Sequence, residues 1–166
     1  MSTADDMREA RADAAGIICA LARDDWQMTR AGLYLGDARI MSLALADWWA
    51  DSVHVIADTA GHLSEIYDDE LAAALGWFRL TIIGGGGPAD VADARADAYG
   101  LVCALARGDW QMACAVLDLG DGRLTCLSLA AMWVSALRAL AAEHGDELAA
   151  VLDGFREAVT ADDDET

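Results

Sequence analysis

Residues 10–28 read ARADAAGIICALARDDWQM, and residues 94–112 read ARADAYGLVCALARGDWQM. The second stretch lies 84 positions after the first and matches it at 15 of 19 places, the differences being Ala15/Tyr99, Ile17/Leu101, Ile18/Val102 and Asp24/Gly108. The same offset runs on through Leu33/Leu117, Gly36/Gly120, Asp37/Asp121, Arg39/Arg123, Leu45/Leu129 and Trp49/Trp133 to Gly61/Gly145. A match of this length reads as an internal duplication, so each element found in one half is expected again in the other.

Within the repeat the apolar residues recur at helical spacing. Met7, Ala10, Ala14, Ile17, Ile18 and Leu21 form one stripe, and Val91, Ala94, Ala98, Leu101, Val102 and Leu105 form its equivalent. Asp25 and Asp109 stand where an N-cap is needed, ahead of short second helices over Trp26–Leu35 and Trp110–Leu119. Gly36 and Gly120 suit a left-handed C′ position at the ends of those helices. Asp37 and Asp121 then cap the longest helices, about Ala38–Ala60 and Gly122–His144. Fourth helices carry Leu71, Leu75, Phe78 and Ile82 in one half and Leu148, Leu152, Phe155 and Val159 in the other.

The offset there has fallen from 84 to 77, so the first half holds seven extra residues near Leu63–Asp69, expected in a surface connection. No strand alternation or hairpin turn stands out. The expected class is all-α: two four-helix units packed as an intramolecular pseudo-dimer. Residues 1–83 form the first unit, 84–88 (GGGGP) a flexible joint, 89–160 the second unit and 161–166 an acidic tail.

The net charge is −18 and belongs to both halves: residues 1–83 hold 14 Asp/Glu and 6 Arg, residues 84–166 hold 15 and 5. Such a surface repels nucleic acid and anionic membranes and attracts basic proteins. The chain has no Lys and no Asn but abundant Ala, Gly, Asp and Arg, the usage of a high-GC genome such as a bacterial or phage one. Cys19, Cys103, Cys114 and Cys126 show no metal-type spacing, which points to reduced thiols and a cytoplasmic location. Asp47 and Asp51 interrupt the apolar stretch of the third helix, and no membrane span is expected.

Chemistry-bearing motifs are sparse. The glycine run lacks the Lys and Ser/Thr of a phosphate loop, and no serine sits in a nucleophile elbow. His62-x-x-Glu65 and His144-x-x-Glu147 have helical spacing but occupy unrelated registers, so no metal or cofactor is expected. Asp25, Trp26, Asp109 and Trp110 belong to the repeated corner and read as structural, with Trp and Met stapling the cap.

Trp48 and Trp77 are not repeated, their counterparts being Met132 and Gly154. With Asp47 and Asp51 they are the candidate partner-binding residues, as aromatic anchors among carboxylates. The expected function is therefore non-catalytic: an acidic helical protein that inhibits or adapts a basic protein partner. A DNA-mimic anti-restriction or anti-nuclease protein is the first alternative. A small-ligand-binding protein or enzyme with a pocket between the repeats is the second.

Overall fold

The computed structural model describes residues 3–59, 69–83 and 89–161. The glycine joint at 84–88, most of the extra segment near Leu63–Asp69, His62 and the tail beyond Ala161 lie outside the described residues. The protein is all-α, with eight helices among the described residues: α1 (Thr3–Ala22), α2 (Trp26–Leu35), α3 (Ala38–Thr59), α4 (Glu70–Ile83), α5 (Ala89–Ala106), α6 (Trp110–Leu119), α7 (Gly122–His144) and α8 (Leu148–Ala161). No strand occurs among the described residues.

Local chemistry sets the helix ends. Asp25 Oδ1 accepts from Met28 N and Asp109 Oδ1 from Met112 N, each at 3.0 Å. Asp37 and Asp121 accept the first amides of α3 and α7 in the same way, and Asp69 does so for α4. These bonds satisfy donors that the first turn of a helix leaves free.

The left-handed residues are not Gly36 and Gly120, as their position after α2 and α6 suggested. Both are extended, with φ of −85°. Space explains these glycines: a Cβ on Gly120 would lie 2.7 Å from Asp97 Oδ2 and 3.1 Å from Val116 O, and one on Gly36 would lie 3.0 Å from Asp13 Oδ2 and from Met41 Cε. The left-handed turns come one corner earlier, after α1 and α5, at Asp24 and Gly108. There the amides of Asp25 and Asp109 close back on Ala20 O and Ala104 O at 2.9 and 2.8 Å, the two-bond termination that a left-handed residue permits.

The corner tryptophans do not staple either. Trp26 and Trp110 are 61% and 57% exposed, and Met28 and Met112 beside them are exposed too. The first corner is held by its cap and by the buried Thr29, whose Oγ1 donates to Asp25 O at 2.8 Å.

The halves do not keep separate cores. One buried cluster takes Ile18, Leu45 and Phe78 from the first half together with Leu101, Leu129 and Leu152 from the second. Helices α1, α3, α5 and α7 form its centre; α3 packs on α1, α5 and α7, and α7 also packs on α1 and α5. The shorter helices are applied to the outside. Helix α2 lies on α1, α6 on α5, α4 between α3 and α5, and α8 between α7 and α1.

Helices α3 and α7 run side by side in the same direction, and residues 84 positions apart meet along their seam. A Cβ on Gly122 would lie 3.7 Å from Ala38 C, Ser42 and Cys126 hydrogen-bond through their side chains, and the rings of Trp49 and Trp133 lie 4.6 Å apart. Positions 38, 42, 45 and 49 follow each other by four, three and four residues, the spacing that keeps one face of a helix on its neighbour. At the rim of the seam Arg39 pairs with Asp118, while Arg123 stacks 4.4 Å over the ring of Tyr34. Tyr34 and Asp118 are themselves 84 apart, so one geometry is served by two chemistries.

Helix α7 corrects a further expectation. By length and composition it could cross a membrane, although no such run was expected. Its stripe of Thr125, Cys126, Leu129, Ala130, Val134, Leu137 and Ala141 is buried in the protein, the pattern of a central bundle helix. Cys19, Cys103 and Cys126 are buried free thiols, and Cys114 is an exposed one.

Candidate functional site

A groove of about 930 Å³ opens where α3, α4, α5 and α7 meet the α1–α2 turn. Its walls are aromatic and aliphatic. Trp49 and Phe78 stand together at 5.0 Å between ring centroids, Trp77 and Trp26 reach in from the surface, and Leu127 and Met132 project from α7. Two of the three serines in the lining turn to their own helices, Ser52 Oγ donating to Trp48 O at 2.8 Å and Ser135 Oγ to Ala131 O at 3.0 Å, and Ser128 is the third. Charge is confined to Asp24, Arg95 and Arg138. Arg138 is fixed at the end of α1, donating to Ala22 O at 3.1 Å and lying 3.7 Å from Asp24 Oδ1.

The sequence candidates are distributed unevenly around this groove. Trp77 lines it and is 52% exposed. Trp48 is half-buried on the other side of α3, edge-on to Trp133 at 6.4 Å and to Phe155 at 5.7 Å. It therefore faces the second half, leaving Trp77 as the one presented to solvent. Asp47 accepts from Arg11 NH2 at 3.2 Å, Asp51 is exposed, and neither lines the groove. The structure thus separates Trp77 from the other three candidates. Of the corner residues, Asp25 and Asp109 act as caps, Trp26 lines the groove, and Trp110 does not.

Trp49 and Met132 were missed as site residues. Trp49, repeated as Trp133, is a core residue at 8% exposed. Its Nε1 is nonetheless buried without an acceptor among the described residues, whereas Nε1 of the equivalent Trp133 donates to Leu45 O at 3.5 Å. A buried donor left unpaired costs about 1–3 kcal/mol, which the packing of this ring on Phe78 and Trp133 offsets. The available signal was the exchange of Trp48 for Met132 between halves, since a lost indole leaves room.

Among the described residues no three of His, Cys, Asp and Glu gather to hold a metal ion. His144 is exposed at the end of α7, its ring nitrogen 3.0 Å from Leu140 O. No protein-family model matches the chain, and neither does any curated protein or solved structure.

Proposed function

We propose that this chain is a non-catalytic binding protein that holds a basic partner protein, with the groove as the seat for the partner's apolar side chains. The observation that carries the reading is the groove itself: an aromatic-walled opening of about 930 Å³ on a molecule of net charge −18. Open apolar surface of that kind normally marks an interaction site, and aromatic residues are its usual anchors. The charge acts at longer range. It steers a basic chain toward the surface and disfavours acidic competitors, while the apolar contact holds what has arrived.

Two further readings belong to this proposal. The halves are fused copies forming an intramolecular pseudo-dimer, supported by the self-meeting of positions 42/126 and 49/133 along the α3–α7 seam. The protein works in the cytoplasm, supported by four unbridged cysteines. The binding needs no cofactor. A small apolar ligand is a second occupant class, favoured by the cavity volume, which falls within the range of about 300–1,000 Å³ usual for small-molecule pockets.

The test is capture from a host lysate with the wild type and Trp77→Ala, followed by purification of the captured chain and titration at two salt concentrations. The expected partner is basic, binds more weakly to the variant, and loses affinity between about 0.1 and 1 M salt, as the screening length falls from about 10 to 3 Å. A neutral metabolite bound independently of salt would overturn the reading.

A further inference from the structure

The repeat supplies a second copy of the groove, and that copy is already filled. Its walls are Trp133, which also lines the open groove, and Phe155, tilted at 38° with centroids 5.5 Å apart; the matching pair in the open groove is Trp49 and Phe78, tilted at 47° and 5.0 Å apart. Into the first pair the chain inserts its own Trp48, nearly perpendicular to both rings at 87° and 89°. Edge-to-face contact of this kind is a favoured arrangement for aromatic rings. In the open groove the position of Trp48 is held by Met132, a lining residue. The neighbouring exchanges go the same way, with Ala131 standing for Asp47 and Ser135 for Asp51, so that face of α7 loses an indole and two carboxylates together.

We infer that the open groove is a receptor for one planar aromatic side chain of indole size, seated as Trp48 is seated in the filled copy and supplied by the basic partner of the proposed function, on which this inference rests. The chain's own tryptophan is the template for the occupant. One observation favours a residue of a protein over a free ring: the groove is larger than one indole needs, leaving room for flanking chain. The site is single, because Trp48 blocks its counterpart.

The experiment is calorimetry with the peptides KKWKK, KKLKK and KKAKK and with free indole. Binding of KKWKK at one site per chain, about tenfold or more tighter than KKLKK and KKAKK, is expected. Met132→Trp fills the seat from within and should abolish that preference while helicity and unfolding midpoint are kept. If that variant does not fold, the unaltered protein still decides: the Met132 methyl resonance should shift under the ring current of KKWKK and not with KKAKK. Equal affinity of the three peptides, or an unmoved Met132 methyl, overturns the ring site but leaves a basic partner standing. Free indole binding as tightly as KKWKK, with no effect of salt and with the Met132 shift, upholds the ring site and overturns the protein partner.

Discussion

Asp24 and Gly108 occupy one turn of the repeated segment and share its left-handed backbone, with φ of 58° and 68°. The turn ends α1 in the first half and α5 in the second, with the same pair of backbone bonds closing behind it. Only one of the two residues lacks a Cβ. Asp24 bears the steric cost of this conformation and offsets part of it through Arg138, which reaches across from α7.

From this follows an asymmetry between matched substitutions. Gly108→Ala adds a Cβ where the backbone disfavours one and should cost about 1 kcal/mol. Asp24→Ala starts from a residue that already has its Cβ and loses only an exposed ion pair, so the loss should be smaller. Urea unfolding of both variants measures the difference; equal losses would remove the left-handed turn as its cause.

The two unrepeated tryptophans should separate in their effect on stability. Trp48 is wedged between Trp133 and Phe155, and Trp48→Ala should destabilise the fold by about 2 kcal/mol. Trp77 stands at the groove mouth, and Trp77→Ala should stay within about 0.5 kcal/mol of the wild type. Thermal or urea unfolding of the pair reads this directly. A large loss for Trp77→Ala would move that residue from the site to the core.

Alkali should weaken the fold in a defined window. Burial pushes the Cys126 thiol from 9.0 up to about 12, with Ser42 pulling weakly the other way. Burial, with a hydrogen bond to Cys103 adding to it, pushes the Tyr99 hydroxyl from 10.0 to about 12. In both cases the folded state keeps a proton that the unfolded chain releases, so this stability is fully present below pH 9 and drains away as pH rises toward 12. Unfolding midpoints at about pH 8 and about pH 11 should differ less for Cys126→Ser, which puts the non-titrating residue of position 42 at its partner position. An unchanged difference would mean that Cys126 ionises as freely in the fold as outside it.

The glycines after α2 and α6 should differ in tolerance. At Gly120 an added methyl would approach Asp97 Oδ2 to 2.7 Å, whereas at Gly36 the nearest atoms, Asp13 Oδ2 and Met41 Cε, stand at 3.0 Å. Gly120→Ala should therefore be the more destabilising, by about 1 kcal/mol. Comparable losses would show that the Asp97 side chain moves aside and the closer approach at Gly120 carries no extra cost.

What could be read from the chain was local. Asp25, Asp109 and Asp121 cap their helices because a carboxylate near three free amides has one favourable arrangement, whatever lies beyond. The spans of α2, α6 and α7 were legible for the same reason. The glycines were only half legible. A glycine signals either an unusual φ or a close approach, and at Gly36 and Gly120 the close approach comes from Asp13 and Asp97, more than twenty positions earlier.

The sequence by itself determined the helical class, the helix order and the repeat, since periodicity and capping are satisfied within a turn or two of chain. Only the tertiary structure decided that the described helices share one core, that positions 42/126 and 49/133 meet, and that Trp48 packs against Trp133 and Phe155 while Met132 lines an open groove. Those outcomes depend on which faces of α3 and α7 lie together, and packing between residues more than eighty positions apart settles that.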